Sequence, residues 1–292
     1  MAPCVDGLIT SGSFLQELAG VLDECGVESV WTVEHVVVAE QYDPRYPYSS
    51  DGRMGSRPGL VPMPDPLELL AFFAAASPTL RLGTAMVVAP LHSPTVLAKR
   101  AATIDRLSGG RLMLGLGIGW QKEEYDAVGA AFDHRGDRLE ECMAAMRSLW
   151  ANRPASYSGK YVSFDRVFMN PGPTGSRVPI ILGGHSDPAV ERAGRVADGW
   201  LPFTTPPDLF AQQADLLRSQ AAAAGRPSDA IEITAWPCSA DPGAGLSLEW
   251  ARRYVDAGAT RLITRLSITS PGGLGDLRDE IHRYRDEVAS KL

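Results

Sequence analysis

The feature that most constrains this chain is a regular alternation, from residue 28 onward, of short aliphatic runs with longer segments of helical period. Such an alternation is typical of repeated βα units that build a parallel sheet. We predict helices between the strands and one after the last strand. The seven predicted strands are 29–33, 80–88, 111–116, 179–182, 199–201, 231–236 and 261–266.

An eighth strand would have to lie in residues 1–9, where Pro3, Asp6 and Gly7 make a poor strand. Barrels of eight βα units routinely fold as one domain at this length. The sequence therefore predicts an α/β protein: a single (β/α)8 TIM barrel over residues 1–292, whose first strand is short or missing.

Two connections, 41–66 and 151–178, are longer than usual for βα units and are predicted to be insertions. The first follows a predicted strand, so it leaves from the C-terminal mouth, where barrel active sites lie. We interpret it as a substrate-covering loop that brings Tyr42 to the substrate pocket, and a subunit-contact loop is the alternative. The second follows a helix and carries a hairpin-like run at 157–161.

Charge and residue spacing disfavour several classes of function. The formal net charge is -7 and the basic residues are scattered, which argues against a nucleic-acid surface. Neither a leader segment nor an apolar run of about 18 residues is apparent, so we predict a cytoplasmic protein without a membrane span. The five histidines lack paired ligand spacing, so no metal site is predicted. Four cysteines are predicted to be reduced, buried thiols: Cys4, Cys25, Cys142 and Cys238.

Two chemically active residues follow the first apolar run. The segment 30–35 ends in Glu34 and His35, which places an acid and an imidazole at the predicted barrel mouth. An imidazole exchanges protons near neutral pH, and a neighbouring carboxylate can set its tautomer or accept a hydrogen bond from a ligand. We predict that both are catalytic residues, with a purely structural histidine as the alternative.

Small residues mark two further strands. Those at 83–85 would let a flat ring approach the backbone, and Gly117 and Gly119 would do so after the next strand, with Trp120 as a stacking wall. The segment 115–120 is not a dinucleotide fingerprint, because no third glycine opens a helix at the required offset. Tight packing inside a barrel is the alternative interpretation of both sets.

The segment 180–188 combines a buried strand, two glycines and a helix start. A serine or aspartate at 186–187 can cap this helix, and Pro188 suits its first turn. Backbone N–H groups at such a start attract anions, and a hydroxyl and an imidazole beside them would add donors. We predict an anion site here, with an ordinary helix start as the alternative. The predicted residues are Gly184, His185 and Ser186.

Together these segments resemble the luciferase-like monooxygenase superfamily, and most closely its subgroup of coenzyme F420-dependent oxidoreductases. The similarity extends over nearly the whole chain, and it depends on the order and spacing of all the motifs. These motifs are 31–35, 81–84, 107–120, 135–138, 179–186 and 197–200.

The resemblance implies a (β/α)8 barrel that binds a flavin-like ring at its C-terminal mouth and passes hydride between the ring and a substrate. It also implies a cis peptide bond between Ala85 and Met86, which back the ring, with Gly117 and Gly119 lining it. The cofactor phosphate would lie at 184–186. Family likeness further favours a homodimer.

Two positions depart from the deazaflavin pattern. Glu34 stands where those members often have Asp, and this choice is closer to some flavin monooxygenases. Trp120 stands where the sugar-phosphate dehydrogenases of the superfamily have a catalytic acid, which argues against that activity.

Three hypotheses follow. The first is an F420-dependent oxidoreductase in which His35 exchanges the substrate proton, while Trp120 and the 41–66 insertion shape an apolar pocket. The alternative is an FMN-dependent two-component monooxygenase, which would need a flavin reductase as partner. A third is a non-catalytic flavin-binding protein, which would tolerate the loss of His35.

Overall fold

The computed structural model describes residues 1–5, 7–54, 61–265, 267–268 and 270–292. The chain divides into two compact units, which we call the central unit (Glu28–Ile180) and the flanking unit (Met1–Val27 with Ile181–Leu292). The elements in chain order are α1 Gly12–Glu24, β1 Ser29–Thr32, α2 Pro66–Ala76, β2 Arg81–Thr84, β3 Val87–Val88, α3 Pro94–Leu107, β4 Leu112–Gly117, α4 Lys122–Val128, α5 Arg135–Ala151, β5 Ala155–Ser158, β6 Ser163–Val167, β7 Ile180–Gly183, α6 Asp187–Val196, β8 Gly199–Leu201, α7 Pro207–Ala223, β9 Glu232–Ala235, α8 Pro237–Ala240, α9 Leu248–Asp256, β10 Arg261–Leu262 and α10 Leu274–Glu287.

The sheet of the central unit is parallel. β1 pairs with β2, and both β2 and β3 pair with β4. The strands are buried on nearly every position, as expected for a parallel sheet covered by helices. The predicted strand 80–88 is divided in two because Ala85 and Met86 interrupt the pairing. The peptide bond between these two residues is cis, which confirms the prediction from the resemblance.

The flanking unit repeats the same plan. β7, β8, β9 and β10 pair in that order, each parallel to the next. Helix α6 follows β7, α7 follows β8, and α8 and α9 follow β9. The parallel strands with intervening helices are the βα units that the sequence predicts.

Every predicted strand position holds a strand, with ends that move by one or a few residues. The last predicted strand, 261–266, is shorter in the structure, because its pairing with β9 ends at Leu262. Position 266 lies outside the described residues. In the described part of residues 1–9 there is no strand, as the poor strand pattern indicates.

The two predicted insertions differ in structure. The described residues 41–54 and 61–65 form neither helix nor strand, and 55–60 lie outside the described residues. The insertion 151–178 contains the expected hairpin, formed by antiparallel β5 and β6. Its turn is held by Glu141, whose carboxylate accepts hydrogen bonds from the N–H groups of three consecutive residues at 2.6–3.0 Å: Lys160, Tyr161 and Val162.

The two ends of helix α4 are explained by its residue types. Glu123 and Glu124 lie in its first turn, where carboxylates complement the positive end of the helix dipole. The helix ends at Gly129, whose φ of 72° is the left-handed conformation that glycine adopts without steric cost.

The structure tests the predictions about the cysteines and the membrane span. Cys25 and Cys142 are buried free thiols, but Cys4 and Cys238 are only half-buried, so the prediction of burial is wrong for these two. Cys238 lies in the short helix α8 directly after a strand end, and Cys4 lies in irregular backbone, so neither is covered on all sides. Across the described ranges, no helix is long and apolar enough to cross a membrane. The single domain and the homodimer stay predictions.

The close approach of β2 and β4 yields a stability prediction. Gly115 donates its N–H to the Thr84 hydroxyl at 2.8 Å, and that hydroxyl reaches the Gly115 carbonyl at 2.8 Å. A Cβ at Gly115 would overlap the carbonyl oxygen of Thr84, which belongs to a strand and cannot easily move. We expect Gly115→Ala to lower the free energy of unfolding by about 3 kcal/mol, as overpacking of a core does.

Gly20→Ala is the matched control. A Cβ at Gly20 meets nothing within 4 Å, and the position is inside α1, so the same change should stabilise the protein by up to about 1 kcal/mol. Urea unfolding followed by circular dichroism measures both variants. Equal midpoints for the two variants would contradict the close packing of β2 on β4.

Candidate active site

His35 and Glu124 form a buried pair at the C-terminal end of β1. The Nδ1 atom of His35 lies 3.0 Å from Oε2 of Glu124, and the two side chains are 13% and 1% exposed. The other carboxylate oxygen of Glu124 accepts hydrogen bonds from the N–H groups of Val36 at 2.7 Å and Val37 at 3.4 Å. One side chain of α4 therefore fixes both the imidazole and the backbone that follows it.

Glu34 forms a second pair, with a different histidine. Its Oε1 lies 2.9 Å from Nε2 of His92, and its Oε2 accepts a hydrogen bond from Val88 N–H at 2.6 Å. The Glu34 side chain is 3% exposed and that of His92 is 16% exposed. The carboxylate in contact with His35 is thus Glu124, whereas its chain neighbour Glu34 contacts His92, because both residues follow the end of β1 in irregular backbone, where strand alternation no longer decides their directions.

An aromatic cluster lies beside the His35 pair. It consists of Tyr42, Tyr46, Tyr48 and Trp120. The Trp120 ring makes edge contacts with Tyr42 and Tyr46, both at a centroid distance of 5.1 Å, and with His35 at 6.0 Å. All of these side chains are half-buried, so they present an amphipathic surface to a ligand.

The backbone after β4 is bare over two positions that the sequence predicts to line a ring. Gly117 and Gly119 are both partly exposed. A Cβ at Gly117 would lie 3.3 Å from Cβ of Met86, and Gly119 has a φ of 62° with Val88 in the way of any side chain. A side chain at either position would meet a neighbour already packed there, Met86 at Gly117 and Val88 at Gly119, which is what the packing interpretation expects.

The predicted anion site belongs to the flanking unit. Ser186 occupies the N-cap of α6, is exposed, and makes no side-chain capping bond. Gly184 has a φ of 111°, and its carbonyl accepts a hydrogen bond from the indole of Trp200 at 2.9 Å. Burial lowers the pKa of His185, which favours a neutral imidazole there. The turn therefore presents N–H and hydroxyl groups rather than a positive charge.

Sequence reasoning found some of this arrangement and missed the rest. His35, Trp120 and Tyr42 lie together as predicted, and Gly117 lies against Met86, whereas Gly119 lies against Val88 and Tyr125. Glu124 was missed because it reads as an ordinary acid in the first turn of a helix. Its one signal is that it faces the core side of a short amphipathic segment, one residue before Tyr125, which is fully buried.

Residues 6–287 match the family model of the luciferase-like monooxygenases. The chain therefore belongs to the luciferase-like monooxygenase family, as the resemblance implies. A coenzyme F420 dependent tetrahydromethanopterin reductase from Methanopyrus kandleri superposes with a TM-score of 0.73 at 17% identity, over 97% of this chain and 96% of that one. This likeness confirms the predicted TIM-barrel fold class.

Two relatives of known sequence are also similar to the chain. An uncharacterized protein of Mycobacterium tuberculosis is 29% identical over 255 residues, which cover 87% of this chain and 85% of that protein. An FMNH2-dependent dimethylsulfone monooxygenase of Pseudomonas fluorescens is 32% identical over 152 residues, which cover 51% of this chain and 41% of that protein. One sequence relative is thus named for FMNH2, whereas the F420-dependent protein shares only the fold.

The contacts of Glu124 predict that its replacement lowers the free energy of unfolding far more than replacement of the adjacent Glu123. Glu124→Ala would leave two backbone N–H groups and an imidazole without their acceptor, so we expect a loss of about 3 kcal/mol in the free energy of unfolding. Glu123 accepts one solvent-exposed hydrogen bond, from Asp43 N–H at 3.1 Å, so Glu123→Ala should cost less than about 1 kcal/mol. Chemical unfolding of both variants checks this, and a smaller loss for Glu124→Ala than for Glu123→Ala would refute the buried pair.

Proposed function

We propose that the chain is an oxidoreductase that transfers hydride between coenzyme F420 and a small organic substrate. The observation that carries the proposal is the half-buried imidazole of His35, held by Glu124 at a strand end and bordered by Trp120. Hydride transfer at a carbon bearing oxygen or nitrogen is accompanied by transfer of a proton, and a positioned imidazole is suited to exchange it near neutral pH.

The residues of the central unit fit a flat ring. Gly117 and Gly119 are partly exposed and carry no Cβ, so the ring is proposed to lie against their backbone, beside Ala85 and Met86. These four residues would hold the ring, and F420, when bound, would supply the hydride donor or acceptor. The aromatic cluster would then exclude water and hold the apolar part of the substrate, with Trp120 and Tyr42 nearest to His35.

The turn at Gly184, His185 and Ser186 is proposed to hold the cofactor phosphate. The exposed Ser186 hydroxyl is not used as a helix cap, and the first turn of a helix offers backbone N–H groups to an anion. His185 stands in the same turn, and burial lowers the pKa of its imidazole, so it brings no positive charge to the site. This part of the proposal depends on hydrogen bonds and the helix dipole, since burial opposes a charge on the imidazole.

A second candidate function is an FMN-dependent two-component monooxygenase, served by a flavin reductase. The 32% identity with the FMNH2-dependent dimethylsulfone monooxygenase favours it, and so does Glu34 in place of the Asp of deazaflavin members. A cytoplasmic homodimer is compatible with either function and is part of the proposal.

The cofactor proposal predicts a binding preference. Purified protein titrated with F420 and, in parallel, with FMN should bind F420 more tightly when ring fluorescence is followed. Ser186→Ala should weaken F420 binding about tenfold, which corresponds to the loss of one hydrogen bond to a charged group. Ser219→Ala, an exposed serine on α7 of the same unit, is the control and should bind as the wild type does.

Each other outcome of the titration has a definite meaning. A preference for FMN, together with reaction of the reduced protein-bound flavin with oxygen, would move the assignment to the monooxygenase. Binding of neither ring would reject both functions. Binding of F420 that Ser186→Ala leaves unchanged would reject the phosphate site alone.

The role of His35 is tested once a turnover assay exists. We expect His35→Gln to lower kcat by about 10²-fold or more with cofactor affinity retained, because the proton would lose its exchange partner while the ring surface stays intact. Stopped-flow reduction of bound cofactor measures the hydride step directly. Full turnover in the variant would indicate that His35 is structural, whereas a wild-type protein that binds cofactor without any turnover would favour the non-catalytic flavin-binding protein.

A further inference from the structure

Two buried carboxylates in the central unit share one arrangement. Each uses one oxygen for a backbone N–H and the other for an imidazole nitrogen. Glu124 binds Val36 N–H at 2.7 Å and His35 at 3.0 Å, whereas Glu34 binds Val88 N–H at 2.6 Å and His92 at 2.9 Å. With side chains 1% and 3% exposed, neither carboxylate is exposed enough to exchange these partners for water.

The two pairs differ in which ring nitrogen faces the carboxylate. It is Nδ1 in His35 and Nε2 in His92. A carboxylate can only accept hydrogen bonds, so the nitrogen that faces it must carry the hydrogen. In a neutral imidazole the other nitrogen is then bare and acts as an acceptor.

We infer that Glu124 and Glu34 fix opposite tautomers, with the hydrogen on Nδ1 in His35 and on Nε2 in His92. Glu124 is thereby a positioning residue for His35, whose bare Nε2 is the nitrogen that exchanges a proton. The second contact of Glu124, with the N–H groups of Val36 and Val37, prevents the carboxylate from rotating away. The pair therefore fixes both the tautomer and the direction of the ring.

The consequence for catalysis rests on the proposed function. The substrate would give its hydride to the cofactor that the proposed function names and its proton to Nε2 of His35, and the resulting imidazolium would stay paired with the Glu124 carboxylate through Nδ1–H. In the reverse direction the same Nε2–H returns the proton. The opposite tautomer, with Nε2 already protonated, has no bare nitrogen on that side to accept it.

Glu124→Gln reverses the hydrogen-bonding demand at the Nδ1 atom. The glutamine oxygen should stay on Val36 and Val37, because two N–H groups there require an acceptor. Its NH2 group then faces His35 and can only donate, so the ring must present a bare Nδ1 and carry its hydrogen on Nε2. Glu34→Gln applies the same logic to His92 and leaves His35 untouched, which makes it the matched control for the spectroscopic readout.

The test is long-range 1H–15N correlation NMR on the full chain with 15N-labelled histidine, since the pattern of cross-peaks identifies the tautomer. His35→Gln and His92→Gln assign the two sets of signals by their loss. The wild type should show Nδ1–H for His35 and Nε2–H for His92. Glu124→Gln should convert only His35, and Glu34→Gln only His92.

Two results would overturn the inference: a wild-type His35 that carries its hydrogen on Nε2, or a folded Glu124→Gln in which His35 keeps Nδ1–H. The wild-type spectrum decides on its own if the variant does not fold. In an active preparation, Glu124→Gln should also lower kcat about 10²-fold with KM unchanged. The NMR readout needs no cofactor, so it is independent of the proposed function. If the two histidines show the inferred tautomers but the protein binds neither F420 nor FMN, the proposed function alone is rejected. If the enzyme turns over while His35 carries its hydrogen on Nε2, this inference alone is rejected.

Discussion

Hydrogen bonds between the start of α4 and the backbone after β1 determine the geometry of the candidate site. The side chains of Glu124, Gln121 and Glu123 accept hydrogen bonds from N–H groups of the segment 36–43, which has no regular secondary structure. The segment has no helix or strand partners for these N–H groups, so the acceptors of α4 fix its path. His35 directly precedes this segment and Tyr42 lies within it.

The fold was predictable to the extent that it depends on local patterns. Buried parallel strands are short aliphatic runs, and the run 199–201 was located to the residue. The division of 80–88 was not visible in its residue types, because Ala85 and Met86 are as compatible with a strand as their neighbours are. Only the cis bond between these two residues was expected, and that expectation came from the family resemblance.

The candidate site was predictable only where its residues stand at strand ends. His35 and Gly117 are found in this way, because the C-terminal end of each strand opens on the same side of a parallel sheet. Glu124 contacts His35 across 89 positions of the chain, and no local pattern carries that information. Within its own segment, an acid in the first turn of α4 is already explained by the helix dipole, and its place beside Tyr125 indicates burial but not a partner. The same holds for the pairing of Glu34 with His92 rather than with the adjacent His35.

The choice of cofactor depends on different contacts from those that define the fold. An F420-dependent reductase has the same fold at 17% sequence identity. An FMNH2-dependent monooxygenase is 32% identical over a segment of 152 residues. A barrel that serves both rings must discriminate through side chains around the mouth. In this chain those side chains are held by one another: Trp120 touches His35, Tyr42 and Tyr46, and Arg53 lies 5.6 Å from the centre of the Tyr42 ring. A ligand that moves the tyrosines must therefore also disturb Trp120 and, through it, the surroundings of the imidazole. Under the proposed function, substrate recognition and proton exchange would thus depend on the same contacts.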